Sequence, residues 1–414
     1  MAQTLPSLEP LSEVKTKRRF FDARTTLFRC FNYLTEGELV VEETFLNPTN
    51  CHRFGVRDSG QRFQLEVKDE RFYLCCMTGG SIGAAEAYIR GYWDSEDLSA
   101  LVCLFARNLK TLDNVDRYTG WATRWMTKIS HWGRRNSLMQ SEKNIQAHYD
   151  LGNDFYQLFL DDTMLYSSAI FESEQESLTT AQHRKMQRLC EQLELSRDDT
   201  VLEIGTGWGA MAIYMAKNYG CKVTTTTISN EQYIYACERV KVEGLEELVD
   251  VVKQDYRLLT GTYDKIVSIE MIEAVGKAYL NGYIAKCNSL LTPGGRLAIQ
   301  AITIADQRYD YYQRNVDFIQ KYIFPGGFLP SVTKLLESTT KSSDLVLRNL
   351  HDIGDDYRVT LKKWRETFES SLSDVKSLGF DDQFIRMWRF YLCYCEGGFK
   401  AKSISTVQLL FERA

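Results

Sequence analysis

The clearest chemical signal lies in nine residues, Val201-Leu-Glu203-Ile-Gly205-Thr-Gly207-Trp-Gly209. An apolar strand running straight into glycines at the head of a helix lets backbone approach a ligand closely. It also turns the helix N-terminal N–H groups toward that ligand. Gly205-x-Gly207-x-x-Ala210 satisfies the fingerprint of a dinucleotide turn. That reading needs a carboxylate at the end of the following strand, where Thr225-Thr226-Thr227-Ile-Ser229 offers none. A tight turn with no ligand is the bland alternative. Three other residue types invite chemistry. Glu273 is expected at the C-terminal end of a strand, where doubly wound folds carry their sites, although a buried structural acid would look the same. Cys395 has no base nearby in the chain, since His351 is the sole histidine beyond residue 183, so it reads as a pocket or structural thiol. His148 fits capping or packing as well as acid–base work.

Composition bounds the rest. The chain has 414 residues, 44% hydrophobic and 25% charged, enough for two or three globular domains with a sizeable core. Eleven cysteines, an odd number without a CxxC pair, fit reduced cytoplasmic thiols better than a disulfide framework or a zinc site, and no metal is expected. A net charge of −5 argues against a general nucleic-acid binder. No window reaches the eighteen apolar residues of a membrane span, and Met1 to Pro10 does not read as a secretory signal.

These residues need a scaffold, and the periodicity supplies one. Residues 11 to 35 read as an amphipathic helix, and Glu38-Leu-Val-Val-Glu-Glu and Arg62-Phe-Gln-Leu-Glu-Val as strands. Gly79-Gly80-Ser81-Ile82-Gly83 then opens a helical stretch. A small α+β domain is expected over 1–115. From 116 to 142 comes a connector with Arg117, Arg124, Lys128, Arg134 and Arg135 and no acidic residue from 117 to 141. Trp121, Trp125 and Ile129 share one helical face, with Trp132 a turn on. Two readings stay open for it: an interfacial helix with rings at headgroup depth, or a Trp stripe packed on the next domain. Beyond it, Thr200–Ile204, Lys222–Thr227, Val249–Val252, Lys265–Ile269 and Arg296–Gln300 alternate with helices, including Glu231–Glu243. Such alternation predicts a parallel, doubly wound α/β sheet flanked by helices.

With an acid two residues before its first glycine, the nine-residue turn resembles motif I of S-adenosylmethionine-dependent methyltransferases. Further segments narrow the resemblance. Asn144-Ile-Gln-Ala-His148-Tyr149-Asp150-Leu-Gly152-Asn153-Asp154-Phe-Tyr and Met164-Leu-Tyr166-Ser167-Ser168-Ala169 come first. Gln254-Asp255-Tyr256-Arg257, Ser268-Ile-Glu270-Met-Ile-Glu273-Ala-Val275-Gly276 and Asp317-Phe-Ile-Gln-Lys-Tyr322-Ile-Phe324-Pro325 follow in order. Asp356-Tyr357-Arg358 and Tyr391-Leu-Cys-Tyr-Cys395-Glu-Gly-Gly398 complete the set. Together they resemble the cyclopropane fatty-acyl-phospholipid synthases and mycolic acid cyclopropane synthases, closely over 140–414 and loosely before.

The resemblance implies a class I, Rossmann-like methyltransferase domain over 143–414, preceded by a smaller α+β lipid-docking domain. It implies attack of a cis acyl double bond on the methyl of S-adenosylmethionine, then loss of a proton to bound bicarbonate with ring closure. Tyr166 and Ser167 would meet the methionine part, Gly205, Gly207 and Gly209 would pass beneath the nucleoside, Thr227, Ser229 and Gln232 would line the ribose, and Asp255 and Tyr256 the adenine. The family's bicarbonate ligands fall on Ser168, Glu273, Gln300, Ile302 and Tyr357, with Ser168 and Gln300 standing where the family has Cys and His. Those departures keep hydrogen-bonding capacity but lose an imidazole. Cys395 matches a cysteine once regarded as the family's nucleophile. Partners implied are membrane phospholipids with unsaturated acyl chains and a second copy of the chain, and the implied place is the cytoplasm at the inner face of the membrane. The rivals are a methyl- or methylene-branching methyltransferase, a non-catalytic lipid binder, and a soluble small-molecule methyltransferase.

Overall fold

The computed structural model describes residues 17–57, 60–109 and 151–414, with the side chains of 17–22 left aside. The connector and the segment carrying His148, Tyr149 and Asp150 lie outside the described residues. The chain divides into two compact units. One takes the described residues before 110 together with 312–323 and 372–403; the other takes the rest of 151–414.

In the first unit, strands β1 (Glu38–Glu43), β2 (Asn50–Gly55), β3 (Arg62–Val67) and β4 (Trp93–Asp94) form a sheet in the order β2-β1-β3-β4. The two strands read from alternation fall on β1 and β3. The glycine run departs from expectation: the helix starts at Arg71, not at Gly79, and extends to Ile89 with Gly80 at φ 56° as a kink inside it. Gly83 explains the run. A Cβ there would sit 1.9 Å from the Cys75 carbonyl, so only glycine lets the two halves of the kinked helix close on each other. The C-terminal helix Asp382–Lys400 belongs to this unit although it lies within the stretch expected to form the catalytic domain. Its Gly397 faces Val102 and the Ser99 carbonyl, and its Arg386 lies 4.0 Å over the Tyr88 ring while bonding Asp94. Such long-range packing leaves no local trace in sequence.

The second unit is built on seven strands in the order β10-β11-β9-β8-β5-β6-β7. These are β5 (Thr200–Ile204), β6 (Lys222–Thr227), β7 (Val249–Lys253), β8 (Tyr263–Ile269), β9 (Leu291–Ile304), β10 (Leu345–Asp352) and β11 (Ile404–Arg413). β5 to β9 run parallel. β11 adds antiparallel to β9, and β10 to β11. The apolar runs Val201-Leu202 and Ile266-Val267 are fully buried, as strands covered on both faces must be. The order in which strands are added reverses at β5, which lies between β6 and β8. The carboxyl ends of β5 and β8 therefore flank the crevice in which open α/β sheets bind ligands.

Candidate active site

β5 delivers the glycine turn. Gly205, Gly207 and Gly209 have φ of 103°, 53° and 87°, backbone that favours glycine. Their neighbours separate their duties. A Cβ on Gly207 would meet nothing within 4 Å, so this residue faces open space at the head of the helix Ala210–Tyr219. A Cβ on Gly209 would lie 3.3 Å from Ala236, so that glycine lets two helices approach. Glu203 turns inward instead of toward a ligand: its Oε2 lies 2.6 Å from Thr225 Oγ1, which lies 2.8 Å from Thr206 Oγ1. Burial pushes its carboxyl up to about 8.

On β6, the Thr227 hydroxyl donates to Gln232 Oε1 at 2.9 Å, and Ser229 caps the helix Asn230–Val242 by accepting from the Gln232 N–H. Asp255 caps the next turn and pairs with Arg257 at 2.6 Å, while Tyr256 packs edge-on against Tyr283 with ring centroids 5.5 Å apart. Open space above Gly207, hydroxyl and amide groups at the end of β6, and an aromatic ring beyond β7 fit a nucleoside carrying a neutral ribose.

The second half of the site gathers at the ends of β8 and β9. Glu270 directly follows β8, and its carboxylate collects three donors from distant parts of the chain. Oε1 accepts from the Ser168 N–H at 2.9 Å and from Gln300 Nε2 at 2.8 Å; Oε2 accepts from the Tyr357 hydroxyl at 2.8 Å. Gln300 is fixed in turn, its Nε2 also reaching the Ser168 carbonyl and its Oε1 accepting from Gln408 at 3.0 Å. The Ser168 hydroxyl turns away to the Ala169 carbonyl. Glu273 stands one turn further on: its Oε1 accepts from the Ile302 N–H, and its Oε2 is shielded from solvent with no partner among the described residues. Burial first, and the neighbouring Glu270 charge second, push Glu273 up to about 8. Burial also raises Glu270, but its hydrogen bonds from Gln300, Ser168 and Tyr357 and the nearby Lys185 charge pull the other way. Lys185 is fully buried, donates to Ser167 Oγ at 2.7 Å, and is lowered to about 8 by desolvation.

Aromatic rings complete the surroundings. Tyr166 lies 5.2 Å from Trp364, 5.4 Å from Tyr156 and 6.5 Å from Phe324 between centroids, and Tyr357 stands edge-on to Trp364 at 6.0 Å. Faces of this kind attract a developing cation and exclude water from it.

Ser168, Glu273, Gln300, Ile302 and Tyr357 are thus brought together, and the glycine turn with Thr227, Ser229, Gln232, Asp255 and Tyr256 lines the same end of the sheet. Cys395 lies in the other unit on the helix Asp382–Lys400, where burial, and then the Asp317 carboxyl, push its thiol up and away from thiolate. Sequence reasoning missed two residues. Lys185 gave no signal. Glu270 lay inside a quoted motif, three residues before Glu273; the signal available was an additional acid at a strand end beside two altered anion ligands.

Comparison with known proteins shows which family and fold the chain is similar to. The family model for mycolic acid cyclopropane synthetase matches residues 136–409. The tuberculostearic acid methyltransferase UfaA1 of Mycobacterium tuberculosis is 37% identical over 80% of this chain and 78% of its own. The cyclopropane-fatty-acyl-phospholipid synthase of Escherichia coli is 36% identical over 84% of this chain and 87% of its own. Among solved structures, the mycolic acid cyclopropane synthase CmaA1 complexed with SAH and CTAB aligns with a TM-score of 0.62 at 26% identity, covering 66% of this chain and 98% of that one.

Proposed function

The chain belongs to the mycolic acid cyclopropane synthetase family, and from that premise we propose that it transfers one carbon from S-adenosylmethionine to a cis double bond of phospholipid acyl chains, forming a cyclopropane. The observation that carries the reading is the pairing of a glycine-turn nucleoside site with buried, hydrogen-bonded carboxylates among aromatic rings at one end of one sheet. S-adenosylmethionine supplies an electron-poor S-methyl group. Gly205 and Gly207 would let it lie close to backbone, Thr227, Ser229, Gln232, Asp255 and Tyr256 would hold its nucleoside, and Tyr166 and Ser167 its methionine end. An alkene is a weak nucleophile, so orientation and water exclusion by Tyr166, Tyr357 and Trp364 contribute much of the rate. A proton must then leave the acyl-chain cation for an anionic acceptor beside Ser168, Gln300 and Tyr357. By resemblance that acceptor is bicarbonate.

A methyl- or methylene-branched product is the second reading. It is favoured by the Glu270 carboxylate among donors expected to hold a small anion, and by the methyltransferase UfaA1 among the relatives. The lipid substrate further suggests peripheral binding at the inner face of the membrane and a homodimer. In support of peripheral binding, the connector is rich in Trp and Arg, and no helix among the described residues is long and apolar enough to cross a membrane.

Product analysis tests the reading. Protein, S-adenosylmethionine and vesicles with cis-unsaturated chains are incubated, and the acyl methyl esters are weighed by mass spectrometry before and after mild hydrogenation. A chain heavier by one CH2 that takes up no hydrogen is a cyclopropane, and hydrogen uptake identifies a methylene branch. No heavier chain, with cofactor binding intact, refutes both readings and leaves a lipid binder.

A further inference from the structure

Glu270 is unusual in its backbone as well as its partners. At φ 48° it occupies the left-handed region, which side-chain-bearing residues rarely adopt. Its own N–H is bonded to the Gln300 carbonyl at 2.8 Å, which anchors the strained backbone to β9. Strain of this kind persists where the surroundings over-determine it, and here it aims a carboxylate at one place.

That place is the one the resemblance gives to bicarbonate. A carboxylate and a bicarbonate each present a planar pair of oxygens and a single negative charge, so one nest of donors suits either. It cannot hold both. The Ser168 N–H has one hydrogen and the Tyr357 hydroxyl has one, both directed at Glu270. The two hydrogens of Gln300 Nε2 go to Glu270 and to the Ser168 carbonyl. Lys185, buried nearby, supplies compensating positive charge.

We propose that the Glu270 carboxylate takes the place of bicarbonate and accepts the proton released by the acyl-chain cation, so that turnover needs no bicarbonate. The proposal rests on the acyl-chain reading above. In the step, a C–H bond of the transferred carbon breaks, and its electron pair closes the second C–C bond of the ring. For a methylene branch, a 1,2-hydride shift first moves the cation onto the methyl-bearing carbon, and the electron pair of the methyl C–H bond then becomes the π bond. Either way the proton goes to Glu270, leaving a neutral carboxylic acid that later returns it to water. Oε2 is the receiving atom, because it accepts one hydrogen bond where Oε1 accepts two. Glu273, pushed up to about 8, carries its own proton at neutral pH and is the poorer acceptor.

The test is titration calorimetry of bicarbonate into protein saturated with S-adenosylhomocysteine in CO2-depleted buffer, using wild type, Glu270→Gly and Glu270→Gln. The φ of 48° suits glycine, so Glu270→Gly removes the carboxylate without straining the backbone. Wild type should give no saturable heat, and the glycine variant should bind one bicarbonate per chain. In turnover, wild type should ignore bicarbonate. The glycine variant should lose about 100-fold or more without it and recover when it is added. Glu270→Gln, which fills the nest but accepts no proton, should stay inactive with or without it. Saturable binding by wild type, loss of wild-type turnover in CO2-depleted buffer, or no binding by a folded glycine variant overturns the proposal. A wild type that alters no acyl chain refutes the function instead, and the calorimetry still decides who occupies the nest.

Discussion

Glu203 belongs to the glycine motif in sequence but to the protein interior in structure, and replacing it by glutamine separates the two. Its carboxyl is 3% exposed and hydrogen-bonded to Thr225. Burial raises it from 4.5 to about 8. Between those values the folded chain holds a proton that the unfolded chain releases. Its contribution is therefore complete below pH 4.5 and lost as pH rises through 8. One proton corresponds to ~1.4 kcal/mol per pH unit, hence ~4 kcal/mol between pH 5 and 8. Glutamine keeps an oxygen for Thr225 but buries amide hydrogens, at a cost of ~1–3 kcal/mol. Glu203→Gln should thus be the less stable protein near pH 5 and the more stable near pH 8. Denaturant unfolding at several pH values measures this. Glu273, raised alike, contributes equally to both proteins and cancels. Lys185, lowered to about 8, is protonated in both states through most of the window and adds little. Parallel stability curves would refute the burial argument. Affinity for S-adenosylhomocysteine should change by less than about twofold, and a loss of tenfold, ~1.4 kcal/mol, would return Glu203 to a ligand role.

Tyr357→Phe removes one hydrogen bond to an ionised carboxylate, worth ~1.5–3 kcal/mol, and should lower kcat/KM by about 10- to 100-fold, read by the acyl-chain mass assay. Gly207→Ala places a methyl in the open space above the turn and should weaken S-adenosylhomocysteine binding about tenfold or more, whereas Gly209→Ala, 3.3 Å from Ala236, should act mainly on melting temperature. If the connector docks on anionic lipid, Arg124→Ala with Lys128→Ala should weaken vesicle binding by ~1 kcal/mol each at low salt, and added salt should erase the difference. Vesicle sedimentation that ignores both changes favours the packed connector.

The strands of the second unit were legible because a strand buried on both faces writes an uninterrupted apolar run, as at Val201-Leu202 and Ile266-Val267. The glycine turn was legible because positive φ restricts the residue type. The helix Arg71–Ile89 was misread at its start because two glycines and a serine resemble a boundary, while the reason for Gly83 is a contact with the Cys75 carbonyl that only the fold creates. The membership of Asp382–Lys400 in the first unit depends on Arg386 reaching Tyr88 and Asp94, nearly three hundred residues away in the chain. Glu270 was hidden for a related reason. Two acids three residues apart look interchangeable in sequence, and Ser168, Gln300 and Tyr357 single one out only after four segments have met.

Those partners divide the labour between the two acids. Burial raises Glu270, but the three donors aimed at it and the Lys185 charge nearby oppose that rise by favouring its ionised form. Glu273 has one backbone donor, a shielded second oxygen and an anionic neighbour, all but the first of which favour its neutral form. Like charges in one buried site cannot both persist cheaply, so the pair settles with one proton between them. Environments that push two carboxyls apart in this way assign an acceptor and an acid without help from either residue's type. A cation formed beside them then meets a fixed anion whose position does not depend on capturing a solute. On that account the Ser168 and Gln300 departures are not losses: the backbone N–H of residue 168 does not depend on its side chain, the Gln300 amide donates where an imidazole would stand, and the anion they serve is part of the chain.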